Sequence, residues 1–596
     1  MLQTRIRNFR FFSGHWAGLL LIVIAGVLVY SNTLEVPFVL DDVRQIEENQ
    51  DIRSLENFLD WKVLAKNRPL TDFTFALNYH FHGLDVTGYH LVNLVLHLAN
   101  GVLVYWLVLL FAGAGRRDES QHFSESAAVR LMAFFAALIF VVHPLQTQAV
   151  TYIVQRFTIM AAGFYILSVI FYILGRNRLA QGSGLNWKPG AVFFTLSFFS
   201  GLLAFLSKQN AASLPGMILA CELILYDRTW AGWKRKLKWI APGCALFILF
   251  VLYNVGFFSG SFSMGRALED VSTLMRETED ISRWEYLMTQ FTVLPRYLLL
   301  YVFPVGQNID PMYPVTTDFF NLYTLAGTFF LAILLGAGIY LIPRQPLPAL
   351  SIFWFFITLS VESSIIPISD PMFEHRMYLP MMGPALATAW VGARVARRHF
   401  KLIMAAAICL VLAFGAASYA RNSVWQSELS IWQDSVSKNS DNHRAHTSLA
   451  LVLEETGRRQ QALKHYNRAL EINPDYGFAH LNLGALLAES GQAVRAEKHF
   501  RQALEELPNN PGILSNLGAS LAAQGRFKEA LEFFGRVLKF EPDNIQARFN
   551  LAVTLARLER FDEASEQVLA ILARDQDNAQ ALQLQKFLTN TQQSRE

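Results

Sequence analysis

Over the first 420 residues of this 596-residue chain, apolar residues come in long runs broken by short polar connections. A run of about 18 residues is long enough to cross a bilayer as a helix. Such runs recur at 16–31, 88–112, 128–143, 157–174, 189–206, 211–226, 239–258, 286–304, 320–342, 349–368, 378–393 and 402–420. Between the first two, the stretch from Pro69 to Leu84 places Phe73, Leu77 and Phe81 four residues apart. That spacing predicts an amphipathic helix lying in the membrane plane. After residue 420 the long runs give way to short amphipathic segments punctuated by Gly and Pro, the pattern of a water-exposed helical domain.

Positive charge orients the runs. Arg5, Arg7 and Arg10 precede the first one, and no small-residue cleavage site follows it. The reading is a retained signal anchor with its N-terminus inside. Arg116, Arg117 and Arg130, then Arg176, Arg178 and Lys188, then Arg228, Lys234, Arg235, Lys236 and Lys238 mark alternate loops as cytoplasmic. Arg394, Arg397, Arg398 and Lys401 mark another near the end. Twelve crossings break this parity. Treating 286–304, which carries Pro295, Arg296 and Pro304, as interfacial or re-entrant restores it. About eleven crossings then remain, with the C-terminal domain outside.

Composition agrees. With 53% apolar and 17% charged residues and a mean hydropathy of +0.26, the chain is too apolar for one water-soluble globule of its length. A net charge of +3 gives no basic surface for nucleic acid. Cys221, Cys244 and Cys409 fall inside apolar runs and read as small buried hydrophobes, with no disulfide or metal pattern.

The C-terminal part repeats. Pro474, Pro508 and Pro542 are 34 residues apart, as are Gly457, Gly491 and Gly525, with Glu559 in the next slot. Ala462, Ala496, Ala530 and Ala564 keep the same period. Small residues where two helices cross and Pro closing the second helix resemble the tetratricopeptide (TPR) family. Four repeats are expected over about 444–577, preceded by a half-repeat whose single helix carries Trp425 and Trp432 and followed by a C-terminal cap. Ser448, Asn482, Asn516 and Asn550 share one position on the first helix of each pair. In peptide-binding TPR proteins, asparagines there grip an extended backbone, since a carboxamide both donates and accepts. The resemblance implies peptide binding in the groove by Asn482, Asn516 and Asn550; the plainer reading is solvated or turn-holding amides.

One exterior loop, 32–87, is longer than a connector needs and begins with the pair Asp41, Asp42. Burial and mutual repulsion at a membrane surface can raise one carboxyl's pKa, which suits a general base acting on a hydroxyl. An acid pair can equally just cap a helix. His80, His82, His90 and His97 offer no metal site, because only His90 and His97 share a helix, two turns apart and without a nearby acid. Asp41, Asp42 and Asp51 alone do not specify a hard cation. No metal is expected.

Further motifs surround the pair. They are Leu40-Asp41-Asp42-Val43-Arg44-Gln45-Ile46, Arg68-Pro69-Leu70-Thr71, Asn78-Tyr79, Gly88-Tyr89-His90-Leu91-Val92-Asn93 with His97, His143-Pro144-Leu145-Gln146-Thr147-Gln148-Ala149-Val150 through Gln155-Arg156, Ser207-Lys208-Gln209, and Glu374-His375-Arg376-Met377-Tyr378-Leu379-Pro380. Together they resemble the GT-C glycosyltransferases of the transmembrane-and-TPR type, related to the protein O-mannosyltransferases. The family commonly has Glu where this chain has Gln148, and Lys-Glu where it has Lys208-Gln209. All these motifs lie on the face that charge had placed outside.

The resemblance implies an all-α fold: a polytopic GT-C-type membrane domain (1–420) followed by an extracytoplasmic TPR solenoid (421–596). It implies a polyprenyl-phosphate-linked sugar, most simply mannose, as donor, inverting transfer at the outer face, and no required metal or other cofactor. Asp41 would take the acceptor proton and Asp42 would orient acceptor or base. Arg376 is the first candidate for the departing phosphate, with His375 adding a hydrogen bond, and Arg156 and Lys208 are seconds. Snorkelling at a helix end is the ordinary role of such cations. Glu374, which can simply pair with Arg376, Tyr378, Arg68, His90 and His143 complete the candidate site. The segment Arg266 to Glu285 would cover the acceptor entrance.

The function expected is sugar transfer to Ser or Thr hydroxyls of exported proteins, with the TPR array recruiting the acceptor. The same donor chemistry on a lipid or glycan acceptor is the alternative. A non-enzymatic TPR scaffold would need one anchoring helix, and a transporter would place its charges at mid-membrane. No Asn-x-Ser/Thr sequon occurs, which favours a bacterial inner membrane with a periplasmic TPR domain over an ER membrane and lumen.

Overall fold

The computed structural model of the protein describes residues 15–60, 68–114, 127–181, 188–226, 234, 241–249, 281–364 and 367–593. Among them every regular element is helical. Two compact units divide between Ile431 and Trp432.

The first unit opens with α1 (His15–Val29), α2 (Pro69–His82), α3 (Val86–Gly113) and α4 (Ala127–Val142). It continues with α5 (Arg156–Gln181), α6 (Lys188–Ser207) and α7 (Leu214–Cys221), then α8 (Arg283–Val302), α9 (Leu322–Leu341), α10 (Pro346–Leu359) and α11 (Met382–Asn422). Small residues let these helices close on one another. A Cβ at Gly26 of α1 would fall 2.3 Å from Leu98 of α3, and one at Gly101 would fall 2.4 Å from Val141 of α4. Five helical stretches are long and apolar enough to cross a membrane: Val86–Gly113, Ile153–Leu179, Gly190–Ser207, Leu322–Leu341 and Met382–Gln426. α4 followed by Pro144–Thr151 qualifies as a pair bent by 52°. α1 and α10 are apolar but shorter. α8, interrupted by Pro295, is not in this set.

The last two expected runs form one hairpin. α11 breaks at His399, and Gly392 lies against Ile403, so the chain reverses among Arg394, Arg397, Arg398 and Lys401. The other basic clusters, Arg5, Arg7, Arg10, Arg116, Arg117, Arg228, Arg235, Lys236 and Lys238, lie outside the described residues, as does 266–280 of the expected cover. Ser282 and Glu285, at its end, form the capping box that starts α8. Cys221 is buried as expected, but Cys409, on α11, is exposed.

α12 (Glu428–Lys438) leads into the second unit. Trp425 is not on this helix; it sits in the 3-10 turn Ser423–Gln426 before it, and only Trp432 lies on α12. Four helix pairs follow: α13 (His443–Glu455) with α14 (Arg459–Ile472), α15 (Gly477–Glu489) with α16 (Ala493–Glu506), α17 (Pro511–Ala523) with α18 (Phe527–Phe540), and α19 (Ile545–Arg557) with α20 (Phe561–Leu572). α21 (Ala579–Gln593) caps them. Ala462, Ala496, Ala530 and Ala564 are fully buried at the helix crossings. Gly457, Gly491 and Gly525 turn each pair at φ near +76°, and Glu559 adopts the same left-handed turn at +61°.

Candidate active site

The loop after α1 is a packed layer. Val36, Val39 and Ile46 are buried in it, and a tight turn runs through Leu40, whose φ is +56°. The Asp42 N–H donates to the Val39 carbonyl at 3.0 Å and the Val43 N–H to the Leu40 carbonyl at 3.3 Å. This turn separates the acid pair. Asp42 is 1% exposed, and its carboxylate accepts N–H bonds from Val39 (3.3 Å) and from Val154 (2.7 Å). Burial pushes its carboxyl up to about 8, against the opposing pull of those N–H groups and with a small push from Asp41. The Asp41 side chain is exposed, while its backbone N–H donates to Tyr152 Oη at 2.9 Å. Tyr152 is itself buried and stacks on Trp425. Burial, then the charges of Asp42 and Asp41, hold its phenol above the ordinary range, so it stays protonated.

A cationic cluster forms around Phe157. The Arg68 guanidinium lies 4.0 Å from that ring's centre and Lys208 Nζ 5.6 Å from it. Arg68, at φ +62°, begins α2, and Lys208 follows the last residue of α6. Lys208 is 2.7 Å from Glu362. An ammonium has three donors, and among the described residues no hydrogen-bond partner engages the rest. Arg376 is held by the Pro371 carbonyl at 3.0 Å and the Asp370 carbonyl at 2.8 Å. His375 stacks on Phe373, and its Nδ1 has no partner among the described residues. Burial, then Lys208, Arg376 and Arg68, lower the His375 pKa well below the usual range, so the ring is neutral. Burial also lowers that of Lys208, opposed by Glu362 and helped by Arg68 and Arg376. Three cations, Lys208, Arg68 and Arg376, thus lie within one another's fields, and Glu362 pairs with Lys208.

One segment joins acids and cations. From Gln148 to Phe157 the chain accepts the His375 N–H on Gln148 Oε1 (2.8 Å), receives the Asp41 N–H on Tyr152, gives the Val154 N–H to Asp42, and offers the Phe157 ring to Arg68 and Lys208. Tyr152 and Phe157 are at most about 19 Å apart along an extended chain, and less here, since Ile153–Gln155 is a 3-10 turn. Nearby, an apolar cavity of about 550 Å³ opens between α7, α9 and α10, lined by Pro215, Gly216, Leu335, Phe353, Phe356 and Ile357. Its rim residues Ser213 and Ser360 lie close in the chain to Lys208 and Glu362.

Other expected site residues turn out to be struts. Arg156 is fully buried, and each of its guanidinium nitrogens is engaged: Nε with Asn93 (2.7 Å), Nη1 with Asn78 (2.6 Å), Nη2 with the Tyr89 carbonyl (3.0 Å). It ties α5 to α2 and α3. His143 caps the turn after α4 by accepting the Leu145 N–H, bonds the Tyr301 carbonyl, and stacks on Tyr301. Tyr378 is sealed in the core by His97 (2.8 Å) and Asn100 (3.1 Å). His90 bonds the Val36 carbonyl at 2.8 Å. Glu374 accepts from Gln307 Nε2 (2.8 Å) and the Asn308 N–H (2.6 Å). Among the described residues no three His, Cys, Asp or Glu side chains gather as metal ligands.

Models of the tetratricopeptide repeat match residues 441–508, 487–537 and 521–586. The chain is 26% identical over 522 residues to the protein O-mannosyl-transferase Tmtc3 of Drosophila melanogaster, covering 76% of this chain and 55% of that one. It is 26% identical over 504 residues to the protein O-mannosyl-transferase TMTC1 of Homo sapiens, covering 75% and 54%. The chain is similar to protein O-mannosyl-transferases over three quarters of its length. It spans little more than half the length of these relatives. Among solved structures it is similar to the TPR protein YrrB, at 23% identity and a TM-score of 0.26, over 28% of this chain and 85% of that one. The apolar helices and these relatives mark an integral membrane protein carrying TPR repeats.

In the repeats, Asn482 and Asn516 are half-buried and their side chains make no hydrogen bond among the described residues, whereas Asn550 accepts from Gln546 at 3.1 Å. Four residues that shape the site escaped the sequence reading: Tyr152, Phe157, Glu362 and Glu428. Tyr152 lies inside the run from His143 to Arg156 and was open to notice there. Glu362 and Glu428 belong to no motif, and only the fold brings them to Lys208 and to Leu40.

Proposed function

We propose that this protein is a GT-C-type glycosyltransferase that moves mannose from a polyprenyl-phosphate carrier to Ser or Thr hydroxyls of exported proteins. The observation that carries this reading is the run from Gln148 to Phe157, which links an exposed carboxylate at Asp41 to a cluster of cations. The names of its relatives supply the sugar and the protein acceptor.

In this reading Asp41 accepts the proton of the acceptor hydroxyl as its oxygen bonds the anomeric carbon. The bond from that carbon to the phosphate oxygen breaks on the opposite side, which inverts the centre. Polyprenyl phosphate leaves with the electron pair, and Arg376, Lys208, Arg68 and neutral His375 meet its charge in place of a divalent ion. Asp42, buried and protonated or nearly so, holds the turn that exposes Asp41. The apolar cavity beside Lys208 and Glu362 takes the first prenyl units of the carrier. The TPR array stands on the outer face and recruits the acceptor through Asn482, Asn516 and Asn550, in a bacterial inner membrane with its repeats in the periplasm.

Transfer of labelled mannose from polyprenyl-phosphate mannose to exported proteins by the purified enzyme tests this. Labelled protein is expected; release of free mannose without labelled protein would overturn the protein acceptor, and no turnover of the donor would overturn the reaction.

A further inference from the structure

The turn before Asp41 is held in an unusual way. Leu40 has φ +56°, a left-handed conformation that branched or bulky side chains rarely adopt. Three consecutive backbone N–H groups there each meet a side chain from a different place. Val39 donates to Asp42 Oδ2 at 3.3 Å, Leu40 to Glu428 Oε1 at 2.9 Å, and Asp41 to Tyr152 Oη at 2.9 Å. Asp42 comes from the turn itself, Tyr152 from the segment after α4, and Glu428 from the first residue of α12, more than 380 residues along the chain. A carboxylate accepting an N–H bond is roughly twice as strong as a neutral acceptor. Glu428 is half-buried and gives one oxygen to the strained residue next to Asp41.

We infer that Glu428 is a positioning residue: by accepting the Leu40 N–H it fixes the left-handed turn that turns the Asp41 carboxylate outward and the Asp42 carboxylate inward. The inference rests on the reading of Asp41 as the base. It adds a dependence of the base on α12, the helix that leads into the repeat array. Without the bond, the Leu40 N–H loses a charged acceptor and the residue has less to hold it in its left-handed state. Asp41 then samples orientations away from the acceptor hydroxyl, and a misplaced base costs turnover before it costs binding.

A competing role must be separated. Glu428 sits in the first turn of α12, where any acid favours the helix dipole. Two substitutions divide these roles. Glu428→Gln keeps the oxygen that accepts the Leu40 N–H and removes the charge, whereas Glu428→Asp keeps the charge and withdraws the oxygen by one methylene.

The experiment uses the full-length protein in detergent, with hydrogen–deuterium exchange of peptides spanning 36–46 and steady-state transfer from polyprenyl-phosphate mannose. For Glu428→Asp and Glu428→Ala, exchange at Leu40 and Asp41 is expected to quicken about tenfold or more. Their kcat should fall about 10- to 100-fold, with the donor KM within about twofold of wild type. Glu428→Gln restores most of both. Wild-type exchange in all variants would overturn the inference, as would the reverse order, with Asp like wild type and Gln like Ala, which is the dipole result. If the wild type transfers no mannose but the exchange pattern appears as expected, the reading of the reaction fails while the hold of Glu428 on the turn stands.

Discussion

Asp41 and Asp42 are adjacent in the chain and opposite in environment: Asp42 is 1% exposed and takes the Val154 N–H at 2.7 Å, while the Asp41 side chain is exposed and its N–H is on Tyr152. The consequence is a division of labour. Asp41→Asn is expected to lower transfer by about 10²- to 10⁴-fold, the usual worth of a general base, with an unchanged melting temperature. Asp42→Ala strands the Val39 and Val154 N–H groups and should cost about 1–3 kcal/mol for each buried donor left unpaired. Thermal unfolding of the two variants beside their rates checks the division.

The surroundings of Asp42 also predict a pH dependence. Its pKa rises on folding from 3.8 to about 8, so in that window the native state holds a proton that the unfolded state has released. Stability therefore falls as pH rises from about 4 to 8, with the group's contribution fully present only below the lower value. Denaturant titrations at several pH values should show this slope in the wild type and a flatter one in Asp42→Asn.

Lys208 cannot be removed alone without a side effect, because its partner Glu362 would be left buried and unpaired, a change that costs about 3–5 kcal/mol. The double variant Lys208→Met, Glu362→Gln takes away the pair together. Its fold should survive while its donor KM rises at least tenfold, with acceptor KM unchanged. Arg156→Met has the contrary signature, since a guanidinium bonded to Asn93, Asn78 and Tyr89 supports the fold: melting temperature falls sharply, and activity is lost with it.

The legible part of this protein was set by periodicity and by local turns. The 34-residue recurrence of Gly457, Gly491 and Gly525 predicts four helix pairs because each Gly marks a left-handed turn, and Pro69 at the start of an amphipathic stretch predicts α2. The exposed acid, the cations at Lys208 and Arg376 and the imidazole at His375 were legible as residue types in polar breaks between apolar runs. Which of them would be spent on packing was not. Arg156, His143 and Tyr378 look as polar as Arg376 in the sequence, yet their partners Asn78, Tyr301 and Asn100 come from helices distant in the chain. Long-range pairing of this kind leaves no local pattern.

In the repeat array, Asn482 and Asn516 keep their carboxamides unengaged among the described residues, whereas Asn550 is bonded to Gln546. If the groove grips an acceptor backbone, Asn482→Ala with Asn516→Ala should raise the acceptor KM by about 10- to 100-fold and leave the donor KM and the melting temperature alone. Asn550→Ala should do less, because its amide must first give up an internal bond. Acceptor titrations with a long exported protein and with a short Ser/Thr peptide separate groove binding from the chemical step.

The most direct measurement is transfer of radiolabelled mannose from polyprenyl-phosphate mannose to exported proteins by the full-length protein in detergent, comparing wild type, Asp41→Asn and Asp42→Asn at matched folding. The account predicts labelled protein with wild type, near-complete loss with Asp41→Asn, and retention of a substantial fraction by Asp42→Asn. Equal loss in both variants, or full activity in Asp41→Asn, would contradict the assignment of the base to the exposed member of the pair. No label with wild type would contradict the reaction itself.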